Sequence, residues 1–187
     1  MKKPIPAFVA FIALAVSAPV LFAATQAVEI RRIKGAAASP ILAGVAVPAN
    51  ANVLYLSGQV PLVADKTKPA DSIDAYGDTK TQAISVFSKI KGLLADQGLT
   101  LGDVVKLTVY LVGDPKNGGK LDFKGFSEAY AQFFGTTQQP NIVARTTVQV
   151  AALANPGFLI EVEATAATLA PIAAPAPPPA PQPKSAK

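Results

Sequence analysis

Arg145, Glu161 and Glu163 are the side chains whose types and spacing could do chemistry in this chain. They stand in two β-patterned runs, 144–150 and 160–164, whose other residues are mostly apolar or small. A strand alternates faces with period two, so Arg145, Thr147 and Gln149 share one side and Thr146, Val148 and Val150 the other. In the second run Glu161 and Glu163 share a side, opposite Ile160, Val162 and Ala164. Asn155-Pro156-Gly157 supplies turn chemistry between them, so the spacing predicts a hairpin with the arginine beside the two carboxylates. Arginine grips a carboxylate through two parallel hydrogen bonds, and a glutamate nearby can move a proton. The competing reading is a solvated sheet face with cross-strand ion pairs, and spacing alone favours it. The chain has no histidine and no cysteine. That removes disulfides, thiolate chemistry, the usual zinc sites and Ser-His catalysis. Chemistry here must run on carboxylates, arginine, hydroxyls, backbone groups and water.

The elements that must position these residues occupy the middle of the 187-residue chain. Met1-Lys2-Lys3 followed by an apolar run and small residues predicts a secretory signal peptide over residues 1–24, cleaved after Ala23 or Ala24, with Ala27 as a further option. A retained anchor competes, but Pro4, Pro6 and Pro19 weaken it, so no membrane span is expected in the mature chain. A periplasmic or secreted address follows. Residues 170–187 are nearly all Pro and Ala and read as a disordered tail, leaving one domain over 25–169. That domain carries thirteen Lys and Arg against twelve Asp and Glu. A basic nucleic-acid surface is therefore not expected.

Alternation predicts strands at 28–33, 41–47 and 53–58, with a turn at Pro48-Ala49-Asn50 and a surface loop over 61–77. Thr79-x-x-Gln82 reads as a capping box opening a helix whose stripe is Val86, Phe87, Ile90, Leu93 and Leu94, closed by Gly98. A strand at 104–112 follows, with Val105, Leu107, Val109 and Leu111 on one face and Lys106 read as an edge or interface charge. A second helix over 122–134 then presents Phe126, Ala129, Tyr130 and Phe133 to the core. The Tyr55 and Tyr130 rings read as core or interface packing. The order βββαβαββ implies an α+β domain with both helices on one face of a sheet. The other face is expected to carry Arg145, Gln149, Glu161 and Glu163 and to meet further copies of the chain.

Four segments in order resemble one family. Leu54-Tyr55-Leu56-Ser57-Gly58-Gln59-Val60-Pro61 resembles the SGQ-P strand of the Rid proteins, the reactive intermediate deaminases or YjgF family. Residues 102–111 are similar to the family's central strand, and 126–134 to its second helix. Ala144-Arg145-Thr146-Thr147-Val148-Gln149-Val150 is similar to its signature near the C-terminus. The resemblance spans roughly residues 40–167. It implies a chorismate-mutase-like fold, a homotrimer with clefts between subunits, and cofactor-independent hydrolysis of reactive enamine and imine acids to 2-oxo acids and ammonia. The activity so implied is that of a 2-iminobutanoate/2-iminopropanoate deaminase-like hydrolase.

Carried over by position, the resemblance makes Arg145 the clamp for a substrate carboxylate and Glu161 the group that positions or activates water. The backbone carbonyl of Thr147 would help, and Ser57 and Gly58 would line the cleft. Ile41, Ser127 and Thr147 stand where the family commonly has tyrosine, asparagine and cysteine. The tyrosine loss removes a hydroxyl from the cleft. These changes, with the exported address, leave a second reading open: a non-catalytic trimer that binds a small carboxylate in the periplasm. The family's older endoribonuclease label gives a third reading, which the near-neutral domain and the absence of histidine disfavour. Ser57 has no base near it in sequence and reads more simply as a hydroxyl satisfying a strand end.

Overall fold

The nine residues with the strongest β pattern become the central strand of a six-stranded sheet. In the computed structural model, which describes residues 28–172, the strands are β1 (Arg31–Lys34), β2 (Leu42–Ala46), β3 (Asn52–Gln59), β4 (Val104–Val112), β5 (Ala144–Val150) and β6 (Ile160–Thr168). The helices are α1 (Thr79–Ala95) and α2 (Phe123–Tyr130). The fold is α+β, two helices on one face of a mixed sheet of order β1-β2-β5-β4-β6-β3. The expected signal peptide and nearly all of the expected tail lie outside the described residues. Among the described residues no helix is long and apolar enough to cross a membrane.

The core sits between the helices and β4, β6 and the start of β5. Leu107, Val109 and Leu111 of β4 and Ile160, Val162, Ala164 and Ala166 of β6 meet Val86, Phe87, Ile90 and Leu94 of α1 and Phe126 and Ala129 of α2. Burial of that apolar surface is the main force holding helices to sheet. α1 ends as its sequence suggests. Gly98 has φ +70°, its N–H reaches the carbonyl of Ala95, and the Leu99 N–H reaches that of Leu94. This is the paired hydrogen bonding that a left-handed glycine permits at a helix end.

Four details differ from the sequence reading. The cap of α1 is Asp78, whose carboxylate accepts from the Thr81 N–H at 2.8 Å, so Thr79 and Gln82 form no capping box. Gln82 is buried and instead joins α1 to the loop before β6, donating to Gly157 O and accepting from Leu159 N. α2 stops at Tyr130, earlier than expected, and Phe134 beyond it is buried while Phe133 is only partly so. Tyr55, read as core or interface packing, is 77% exposed on β3, so it is not part of the core of this chain. Lys106 lies on the central strand, not an edge, and donates to Thr146 Oγ1.

The largest correction concerns the terminal hairpin. β5 and β6 are not neighbours. β4 lies between them, parallel to β5 and antiparallel to β6. The Asn155 turn forms locally, with its side chain accepting from Gly157 N, but the loop holding it carries the chain across the end of β4. The pairing Leu107↔Arg145 puts Arg145, Thr147 and Gln149 on the helix side with the β4 core residues. The pairings Tyr110↔Glu161 and Thr108↔Glu163 put both glutamates on the open side. The arginine and the carboxylates therefore project from opposite faces of the sheet.

Candidate active site

Arg145 enters the helix side of β5 just where the end of α2 covers it. Its guanidinium lies 4.5 Å from the Tyr130 ring centroid, 4.9 Å from Phe126 and 5.8 Å from Phe123. Guanidinium is weakly hydrated and stacks on aromatic faces, so three rings can hold it without a counter-ion. None is supplied: among the described residues Arg145 makes no salt bridge, and its Nη1 is buried with no hydrogen-bond partner. Burial pushes the Arg145 guanidinium below its ordinary value, and the nearby Tyr130 opposes that. A buried donor without an acceptor is costly unless a ligand completes it.

That donor borders a cavity of about 360 Å³. Its wall comes from the segment before β2 (Ser39, Pro40), from α2 and its end (Phe123, Ser127, Tyr130, Phe134), and from Ile142. The Tyr130 hydroxyl donates to Pro40 O at 3.2 Å and so ties the first wall to the second. Thr147, on the same face as Arg145, is partly buried with its hydroxyl unpartnered. Ile41 lines a neighbouring cavity of about 350 Å³ that shares Ser39, Gly135 and Ile142 with the first. Beyond Ala144, β5 has no strand on its far side among the described residues, because β2 pairs with it only at Leu42↔Ala144. The backbone groups of Arg145 onward that do not face β4 are thus available to other partners.

The other expected residues gather elsewhere. Ser57 and Gly58 occupy a bulge in β3, where the register against β6 shifts between Leu56 and Gln59. The Glu161 carboxylate lies over Gly58 so closely that a Cβ there would overlap it. A glycine at that point is the local condition for the glutamate's position. Glu163, two residues on, accepts from the Tyr110 hydroxyl at 3.2 Å. The structure therefore brings Arg145, Thr147 and Ser127 to one side, with Ile41 next to them, and Glu161, Ser57 and Gly58 to the other.

A family model described as Endoribonuclease L-PSP matches residues 36–168, which is most of the chain. The chain belongs to this family, the Rid or YjgF proteins. A RutC family protein of Pyrococcus horikoshii is 36% identical over 115 residues, 62% of this chain and 79% of that protein. An Escherichia coli K12 protein named "Putative reactive intermediate deaminase TdcF" is 31% identical over 140 residues, 74% of this chain and 94% of the relative. In crystal structures, the conserved Rid family protein YyfB of Yersinia pestis, of unknown function, is similar with a TM-score of 0.56 and 25% identity. That likeness covers 74% of this chain and 98% of the other. The Rid fold expected from the sequence is thus the fold observed.

Sequence reasoning missed the aromatic box. Phe123, Phe126 and Tyr130 recur at three- and four-residue spacing, which reads as a helix core face, and Phe126 does serve the core. The signal lay in Phe123. It is apolar at the first turn of α2 yet 48% exposed, with the Arg145 guanidinium 5.8 Å from its ring.

Proposed function

We propose that this Rid protein is a cofactor-independent, deaminase-type hydrolase of small carboxylate-bearing imines and enamines. The observation that carries the reading is the buried Arg145 Nη1, a cation donor with no acceptor at the edge of a cavity. A substrate carboxylate bound there gains charge-assisted hydrogen bonds in a partly desolvated place, where they are strongest. The name of the E. coli relative and the family resemblance support the same reaction class.

Hydrolysis of an imine adds water to the C=N carbon, protonates the nitrogen, and breaks the C–N bond to release ammonia and a 2-oxo acid. Glu161 takes the proton from the attacking water, and the held carboxylate keeps the carbon in line. Because Arg145 and Glu161 leave opposite faces of one sheet, one copy cannot present both to a single substrate. The cleft is therefore built between subunits of a homotrimer, with Arg145 from one copy and Glu161, Ser57 and Gly58 from another. Two features support that assembly. The open face of the sheet carries Val148 at 40% and Tyr55 at 77% exposure, and β5 turns its apolar side that way. Such surface is stabilised by meeting another copy.

A second reading, a periplasmic carboxylate-binding trimer without turnover, is favoured by Ile41, which brings no hydroxyl to the site. Cleavage of RNA has no such support, since the domain is near neutral and the chain lacks histidine. The test is ammonia release from freshly generated 2-iminobutanoate or 2-iminopropanoate. Wild type should accelerate it, Arg145→Ala should lose both turnover and binding, and Glu161→Gln should lose turnover by about 10²-fold or more while still binding a 2-oxo acid. Binding without turnover in wild type moves the conclusion to the second reading.

A further inference from the structure

The wall that one copy builds beside Arg145 has few polar groups to offer a ligand. The Ser39 hydroxyl is engaged by its own loop, donating to Ile41 O at 2.7 Å and accepting from Ile41 N at 3.2 Å. The Tyr130 hydroxyl is engaged by Pro40. That leaves the guanidinium and the half-buried Ser127 hydroxyl, for which no hydrogen bond is made within the described residues. The remaining wall is Pro40, Phe123, Ala131, Phe134 and Ile142, and it includes no acidic side chain and no second cation. A three-carbon imino acid has about six non-hydrogen atoms. Even at a water's share of ~30 Å³ each it fills no more than about half of the space. The remainder would hold water against phenylalanine and isoleucine, which an apolar side chain on the ligand would displace favourably.

Resting on the hydrolase reading above, we propose that this site selects 2-imino acids bearing a branched aliphatic or aromatic side chain over three-carbon and charged ones. The carboxylate sits on Arg145, the imine nitrogen faces Ser127, and the side chain fills the space between Phe123, Ala131 and Ile142. A second charge on the ligand would be buried against this wall unpaired, which is costly.

The test uses imines generated in place by an amino-acid oxidase from alanine, leucine, phenylalanine and glutamate. The kcat/KM for the leucine- and phenylalanine-derived imines should exceed that for the alanine-derived one by about tenfold or more. The glutamate-derived imine should be slowest. A flat or reversed order overturns the proposal. In parallel, calorimetry compares 4-methyl-2-oxopentanoate with pyruvate and 2-oxoglutarate, which needs no turnover. The same order in binding with no imine hydrolysed would sink the hydrolase reading and keep the selectivity; equal affinities would sink the selectivity. Ala131→Phe fills the cavity from an exposed position past the end of α2, away from the core. It should bring the leucine-over-alanine preference down to about unity. A preference that survives this substitution contradicts the assigned wall.

Discussion

Arg32 and Arg145 are both half-buried arginines on strands, and burial lowers the pKa of each. Their surroundings differ in one respect. Arg32 donates to the carbonyls of Gly102 at 2.6 Å and of Val104 and Ile142 at 3.0 Å each, with Asp103 nearby. It fastens β1 to the entrance of β4 and to the segment leading into β5. Arg145 is packed between aromatic rings and has no acceptor among the described residues. The difference separates a cation whose donors complete the fold from one left without an internal acceptor. Burial and residue type are shared, so neither identifies function; the count of satisfied donors does.

The comparison breaks most readily at Arg145. Arg145→Met keeps the bulk against the rings and should weaken 2-oxo acid binding by about 100-fold or more, the cost of stranding a carboxylate. Its melting temperature should stay near that of wild type, because no internal hydrogen bond is lost. Arg32→Met should do the reverse. It leaves three carbonyls to find water and should cost about 2–3 kcal/mol in chemical denaturation, with ligand affinity of the folded protein unchanged. A stable Arg32→Met, or an Arg145→Met that unfolds, would remove the distinction.

A smaller effect sharpens the other half of the site. Gly58→Ala should push the Glu161 carboxylate aside and lower kcat by about tenfold while leaving calorimetric affinity for the 2-oxo acid intact. Equal loss of both would place Gly58 in the binding half. The smallest expected effect is structural. Asp78→Ala should cost about 1 kcal/mol by removing the cap of α1. The amide and hydroxyl of Thr81 hold the Asp78 carboxyl below its usual value. Its contribution is thus complete above the unfolded pKa of about 3.9 and is lost as pH falls through the lower folded one. Acid titration of wild type against Asp78→Ala should show the two stabilities converging at low pH.

Much of this was legible in the sequence. The element order, the α+β class, the central strand and the glycine-capped end of α1 all follow from period, caps and turn residues. The faces of β5 and β6 do not. Alternation tells which residues of one strand share a side, but not which side of the next strand they match. On apolar content β5 would turn Val148 and Val150 inward, yet those residues face outward. Arg145 and Gln149 are accepted on the helix side because rings of α2 cover the first and Leu121 N and Gly119 O engage the second. The crossing of β4 was hidden for a related reason. A turn sequence specifies a local reversal, and Asn155 and Gly157 make one, without fixing which strand the chain then joins.

The claim on which the site rests is that its two halves meet only between copies. Arg145→Ala and Glu161→Gln, each expected to be inactive alone, can be co-expressed with different tags and the mixed oligomers isolated. If each cleft takes its arginine from one subunit and its glutamate from another, every isolated mixed trimer carries one intact cleft in three and should regain about one third of wild-type imine hydrolysis. Mixed oligomers as inactive as the separate variants would show that both residues must come from one chain, and would contradict the account.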